Sequence, residues 1–322
     1  MDIVLTSLAF GIAALCAGVM GYAIQRGATC TVAAMDEVVN KRSFRRLASL
    51  VEASLWVAGG LLAAQALQLL PSMPSGYPLT LWTLLGGALL GLGAFVNGAC
   101  VFGTIARLGS GQWAYAVTPL GFYLGSLSVG AVFALPQHHK LPYGSPVLQA
   151  PAWVALLFLA FVVWRVVRPL WRHGRAGLVA RVWSPHAATT VIGITFVLML
   201  LLVGAWAYTD VLAELARGMA ASLVARTLLL LALLLGAAWG GWTAGRFRST
   251  RITAAQLLMC LAGGVMMGWG SLLIPGGNDG LILVGMPLLW PYAWVAFLAM
   301  CVSIGSAQLL RKRRPARVAS AS

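Results

Sequence analysis

The sequence predicts an all-α, polytopic membrane protein of about nine transmembrane helices with short re-entrant helices, arranged as an inverted internal repeat of 4+1+4 spans. Three observations predict it. Of the 322 residues, 60% are hydrophobic and only 9% are charged, with a mean hydropathy of +0.88; soluble domains carry far more charge. The basic residues cluster in alternate loops between apolar runs. A glycine pattern in the first half recurs in the second.

The apolar runs suggest spans at roughly 4–25, 47–70, 80–97, 113–135, 151–168, 187–208, 219–241, 253–273 and 291–309, each near the length a ~30 Å hydrocarbon core requires. The start, Met1-Asp-Ile-Val, lacks a basic segment, so no cleaved signal peptide is expected and the first run should stay as a span. Lys41, Arg42, Arg45 and Arg46 follow span one, and Arg107 follows span three. Arg165, Arg168, Arg172, Arg175 and Arg181 lie at or after the end of span five. Arg246, Arg248 and Arg251 follow span seven, and Arg311, Lys312, Arg313, Arg314 and Arg317 follow span nine. The other loops carry little beyond Lys140 and Arg217, the latter beside Asp210 and Glu214. Basic loops stay cytoplasmic, which puts the N-terminus outside and the C-terminus in the cytoplasm. The net charge of +15 is therefore a topology signal. No basic patch sits on a polar domain, and nucleic acid is excluded as a partner; the lipid bilayer is the expected one.

Gly86-Gly87-x-x-x-Gly91-x-Gly93 matches Gly263-Gly264-x-x-x-Gly268-x-Gly270. Each pattern leads into a glycine turn and then a Trp-rich span start, Trp113-Ala-Tyr115 or Trp290-Pro-Tyr292. The two copies run in opposite directions through the membrane. The domain reading is a first half over 1–135, a connector over 136–186, an inverted second half over 187–310 and a basic tail over 311–322. Inverted repeats meeting near the midplane are a transporter architecture, whereas small-xxx-small spacing alone would reflect only close helix packing.

The chemistry concentrates in the turns. Arg26-Gly-Ala-Thr-Cys30 echoes Asn97-Gly98-Ala-Cys100: in both, Gly-Ala precedes a cysteine that opens a short apolar segment. Segments of this length cannot span and suit re-entrant helices. Their N-termini present free N–H groups and positive partial charge, which favours a small inorganic anion. A thiol there adds a weak donor without a fixed charge; the alternative is plain packing. The remaining cysteines, Cys16, Cys260 and Cys301, lie within ordinary spans, and neither a disulfide framework nor zinc spacing is visible. Pro275-Gly276-Gly277-Asn278-Asp279-Gly280 is the counterpart turn, in which Asn278 and Asp279 are expected to cap a short helix. Glu52, inside span two, is either an ion-coupling group or the partner of Arg26, Arg45 or Arg46. Arg226 is expected to pair with a carboxylate or snorkel outward. Arg107 either attracts an anion or anchors its loop. His138, His139, His173 and His186 read as solvated loop residues, and neither a metal nor a cofactor is expected.

Three stretches resemble the YeeE/YedE family of membrane proteins, also called the sulphur-transport family: Arg26-Gly-Ala-Thr-Cys30, Asn97-Gly-Ala-Cys100-Val-Phe-Gly-Thr-Ile-Ala-Arg107-Leu-Gly-Ser-Gly111, and Ile274-Pro-Gly-Gly-Asn-Asp-Gly280-Leu-Ile-Leu. The resemblance extends over most of the chain. It implies an hourglass-like helical fold in a bacterial cytoplasmic (inner) membrane and uptake of thiosulfate or a related sulphur species. It also implies a central path on which Cys30 and Cys100 pass the ion along. The family's further path cysteine has no match here, because Asn278 holds the repeat-equivalent place.

The leading reading is a non-enzymatic permease for a sulphur-containing anion. Its substrate path holds Cys100, Cys30, Asn97, Gly98, Asn278, Gly277, Arg107 and Arg26, with Glu52 and Asp279 as ion-coupling or structural groups. The alternatives are a membrane thiol or persulfide relay that hands sulphur to a cytoplasmic sulphur-carrier or sulphurtransferase protein, and an accessory protein of sulphur or selenium metabolism.

Overall fold

The computed structural model describes residues 2–70, 73–133, 139–151, 153–167, 183–218 and 223–319. Within them all regular structure is helical, and eight helices are long and apolar enough to cross a membrane. The long helices are α1 (Asp2–Gly27), α3 (Arg45–Ala66), α4 (Leu81–Asn97), α6 (Val117–Val132), α8 (Pro185–Val203), α10 (Leu223–Thr243), α11 (Ala254–Leu273) and α13 (Pro291–Ala319). A shorter apolar helix, α7 (Trp153–Val162), lies where the fifth span was expected and continues as a π-turn over Val163–Val167. Arg168, Arg172, Arg175, Arg181, His138 and His173 lie outside the described residues.

Short helices follow four of the long ones: α2 (Thr31–Lys41), α5 (Val101–Gly109), α9 (Tyr208–Ala216) and α12 (Asn278–Gly280), the last extended by a π-turn over Leu281–Gly285. Each break has a local cause. Gly98 takes φ +74° and ends α4, a left-handed conformation that costs glycine nothing. Gly204 does the same for α8 at φ +85°. That last break corrects the sequence reading, which ran span six on to residue 208; the helix stops at Val203, and a fourth short helix begins at Tyr208.

Two helix pairs form the centre. Helix α1 packs against α8 and α10, and α8 also packs against α3; α4 packs against α11 and α13, and α11 also packs against α6. The glycine stripes meet each other at the α4–α11 crossing. A Cβ added to Gly93 would come 2.7 Å from the Gly263 carbonyl oxygen, and one added to Gly270 would come 2.7 Å from that of Gly86. Without a hydrophobic drive between helices in lipid, such backbone-to-backbone approach is how dispersion is gained. Large apolar side chains such as Leu15, Leu81, Leu120, Leu235, Leu258 and Val302 remain exposed on the outer surface, where a bilayer would cover them.

The short helices pack across the two halves of the chain. Helix α2 leans on α3 and α13, α5 on α1 and α10, α9 on α6 and α10, and the turn after α12 on α3 and α13.

Candidate functional site: two cavities and a row of short-helix N-termini

Two cavities open at opposite ends of α4. The first, about 530 Å³, is lined by Cys30, Gly98 and Gly103 at its floor and by Arg46, Arg107, Arg246 and Arg311, with Asp36 as the opposing charge. Its cationic excess draws anions. The second, about 370 Å³, is lined by Thr209, Asp210, Glu214, Arg217, Gly277 and Tyr292. Between them lies a space of about 10 Å³, lined by residues that include Phe102, Trp206, Tyr208 and Asp279; that is room for about one water molecule.

The short helices bring the chemistry together here. Cys30 is the N-cap of α2 and Cys100 the N-cap of α5, both in extended backbone. Their thiols are neighbours. The backbone N–H of Thr31 donates to Cys100 Sγ at 3.1 Å. The Cys100 sulfur thus occupies the place at the α2 N-terminus where an anion would sit, since the first N–H groups of a helix have no partner within it. Cys100 is fully buried, while Cys30 is partly exposed into the first cavity. Gly103 faces the Cys30 thiol: a Cβ there would stand 2.5 Å from Sγ. The anion path expected from the sequence predicts that Gly103→Ala pushes the thiol aside and cuts anion uptake severalfold, while the purified variant keeps a wild-type elution profile. Unchanged uptake would show that the thiol's position does not matter.

The remaining predicted residues divide. Asn97 spends its side chain inside the turn: Nδ2 donates to Ala99 O at 2.7 Å and Thr104 Oγ1 at 3.1 Å, and Oδ1 accepts from Thr118 Oγ1 at 2.8 Å. Arg107 donates to Gly98 O and to Gln112 Oε1, each at 3.2 Å, and lies over the Tyr115 ring. It both braces the turn and lines the first cavity. Arg26 is buried, donates to Thr243 Oγ1 at 2.8 Å and covers the Tyr22 ring. Gly277 is the N-cap of α12 and lines the second cavity. Asn278 is fully buried, and neither its Oδ1 nor its Nδ2 has a hydrogen-bond partner among the described residues.

Two expectations need correction. Asp279 does not cap its own helix: it accepts from the Thr209 backbone N–H at 3.2 Å and from the Thr209 hydroxyl. It caps α9 from across the site, and Asn278 makes no cap bond either. The reason is that the N-termini of α9 and α12 lie side by side, so the carboxylate reaches the neighbour's free N–H groups. Glu52 pairs with none of the arginines expected. It accepts from Arg165 Nε at 2.6 Å and Nη2 at 3.0 Å, and from His186 Nδ1. Arg46 instead pairs with Glu37 at 3.0 Å, and Arg45 is exposed. His186 is thus a hydrogen-bond partner of Glu52 and not a solvated residue, whereas His139 is exposed. Arg226 pairs with Glu214, one of its two expected fates.

Thr209 and Trp206 were absent from the sequence reading, which placed Asp210 only as a loop acid beside Arg217. Their signal was Gly204 followed by Tyr208-Thr-Asp210, an acid just past a glycine that could end the span. All five cysteines are free, and among the described residues no group of three or more His, Cys, Asp or Glu is placed to hold a metal ion.

The Thiosulfate transporter TsuA of Escherichia coli (strain K12) is 24% identical over 348 aligned positions, covering 96% of this chain and 97% of its own. The family model described as Sulphur transport matches residues 26–306, a stretch that takes in both thiol turns and the Asn278 turn. The chain belongs to the Sulphur transport family.

Proposed function

We propose that this multi-pass membrane protein is a permease that carries a sulphur-containing anion, thiosulfate foremost, from the cavity beside α9 to the basic cavity beside Cys30. The observation that carries this reading is the Cys30–Cys100 pair. Two thiols sit at facing short-helix N-termini between two cavities, one of them already taking a helix N–H. An ion with a soft sulfur end and a charged oxygen end suits such a constriction. The thiols offer S–H donors and a polarizable surface, and the helix ends offer N–H groups without fixed positive charge that would trap the ion.

The basic loops favour a cytoplasmic location for the first cavity, with the N-terminus outside, in a bacterial inner membrane. A cytoplasmic sulphur-carrier or sulphurtransferase protein that consumes the ion would meet the chain at this mouth. Inverted halves over 1–135 and 187–310 are favoured by the exchange of packing partners: α1 on α10 corresponds to α8 on α3, and α4 on α13 to α11 on α6.

The test is uptake of radiolabelled thiosulfate into proteoliposomes. Cys100→Ala should lower the initial rate roughly 10- to 100-fold, the worth of one hydrogen bond to a charged group at ~1.5–3 kcal/mol. Uptake that survives the change would move the path off the thiols. A persulfide trapped on Cys100, with no uptake by folded wild type, would support the relay reading instead.

A further inference from the structure

The second cavity poses an electrostatic problem for an anion, because carboxylates line it. Asp210 and Glu214 line it and Asp279 lies nearby, and two of these three acids have partners. Glu214 is paired with Arg226, and Asp279 takes both bonds from Thr209. Asp210 has none: among the described residues its side chain makes no hydrogen bond and no ion pair. It follows Thr209 directly on α9, is partly buried, and borders the cavity beside Gly277.

Charged and titratable groups face it from several elements. Glu214 comes from α9 itself, Arg217 from the residue after it, Asp279 from α12, Arg226 from α10 and Tyr292 from α13, and Tyr77 borders the same cavity. The α6 side is apolar, with Val129 and Phe133 beside Ala213.

Building on the transport reading above, we propose that Asp210 is the proton-binding group of this cavity, and that the anion enters when Asp210 is neutral. Water on the cavity side supplies the proton, and the carboxylate becomes a carboxylic acid; no other bond changes. Burial together with the negative charges of Asp279 and Glu214 outweighs Arg226 and Arg217 and pushes the Asp210 carboxyl up to about 7. Burial pushes the Asp279 carboxyl up as well, but there the two bonds from Thr209 oppose the shift, and Asp210 has no such bonds. In its ionised form Asp210 repels an entering dianion; in its neutral form it offers an O–H donor in a cavity that Arg217 also lines.

The experiment measures thiosulfate uptake into proteoliposomes at external pH 5.5 to 8.5 with a fixed internal buffer. Thiosulfate is a dianion throughout this window, so any pH dependence belongs to the protein. Wild-type uptake should fall about tenfold per pH unit above the midpoint, as the protonated fraction does. Asp210→Asn, neutral and nearly isosteric, should flatten the profile. Asp210→Glu should keep a sloped profile with a displaced midpoint. A wild-type slope that Asp210→Asn leaves in place, or a flat profile in Asp210→Glu, overturns the inference while transport stands. Absence of wild-type uptake at every pH overturns the transport reading instead. Infrared difference spectra of the purified protein then decide the proton site. A carboxylic C=O band that titrates near neutrality and vanishes in Asp210→Asn supports it. A band that is absent, or that the variant retains, overturns it.

Discussion

Gly236→Ala should leave little folded protein in the membrane. A Cβ at Gly236 would stand 1.8 Å from the Gly18 carbonyl oxygen and 2.8 Å from Gly18 Cα. Across the same crossing, one at Gly21 would stand 1.9 Å from the Leu233 carbonyl oxygen. No side-chain rotation relieves this, because Cβ is fixed to the backbone and the neighbour is backbone. The α1 and α10 helices must separate, and the dispersion contacts along the crossing go with them. The consequence reaches the site, since α5, which opens at Cys100, also rests on α10: a Cβ at Gly241 would lie 1.9 Å from the Gly109 carbonyl oxygen. Overpacking of this kind costs roughly 3 kcal/mol or more. Thermal unfolding in detergent, followed by fluorescence-detected size exclusion, checks it. Gly11→Ala is the control: nothing lies within 4 Å of the added atom, and the exposed helix position should gain up to ~1 kcal/mol from propensity. Equal melting of Gly236→Ala and wild type would contradict the close approach.

Glu52→Ala should be the most damaging loss of a single charge. The carboxylate joins three elements: its own α3, the π-turn after α7 through Arg165, and the first turn of α8 through His186. Trp56 Nε1 adds a longer contact at 3.4 Å. Removing the acid strands Arg165 beside apolar helices. Breaking a buried pair costs ~3–5 kcal/mol. The lower end applies, because the Arg165 and His186 side chains are 24% and 25% exposed. The double variant Glu52→Ala/Arg165→Met should recover much of the loss, since no orphaned charge remains. If the single and double variants melt alike, the damage lies elsewhere than in the unpaired charge.

That ion pair also bears on coupling. Glu52 was the intramembrane acid visible in the sequence, and an acid within a span points to an ion path by default. In the fold its two oxygens are taken by Arg165 and His186, which gives it a structural role. Among the acids whose side chains are described, the unpartnered one is Asp210, which the apolar pattern had left in a loop. Linear spacing shows that an acid is present; it does not show which cation folds back onto it from more than a hundred residues away.

The sequence by itself determined the class, the membrane setting and two of the thiols' neighbours in the chain. Apolar run length is a local quantity, so eight of the nine expected spans recur as long apolar helices and the fifth as a shorter one. The glycine turns were legible for the same reason, because a left-handed residue such as Gly98 ends a helix wherever it stands. Only the tertiary structure decided that Cys100 takes the N–H of Thr31, that Asp279 caps α9 instead of its own helix, and that the two glycine stripes serve as each other's packing surface. Those relations depend on which helix ends meet in space. Partners drawn from distant parts of the chain satisfy the free groups at each break, and no local pattern in the sequence specifies them.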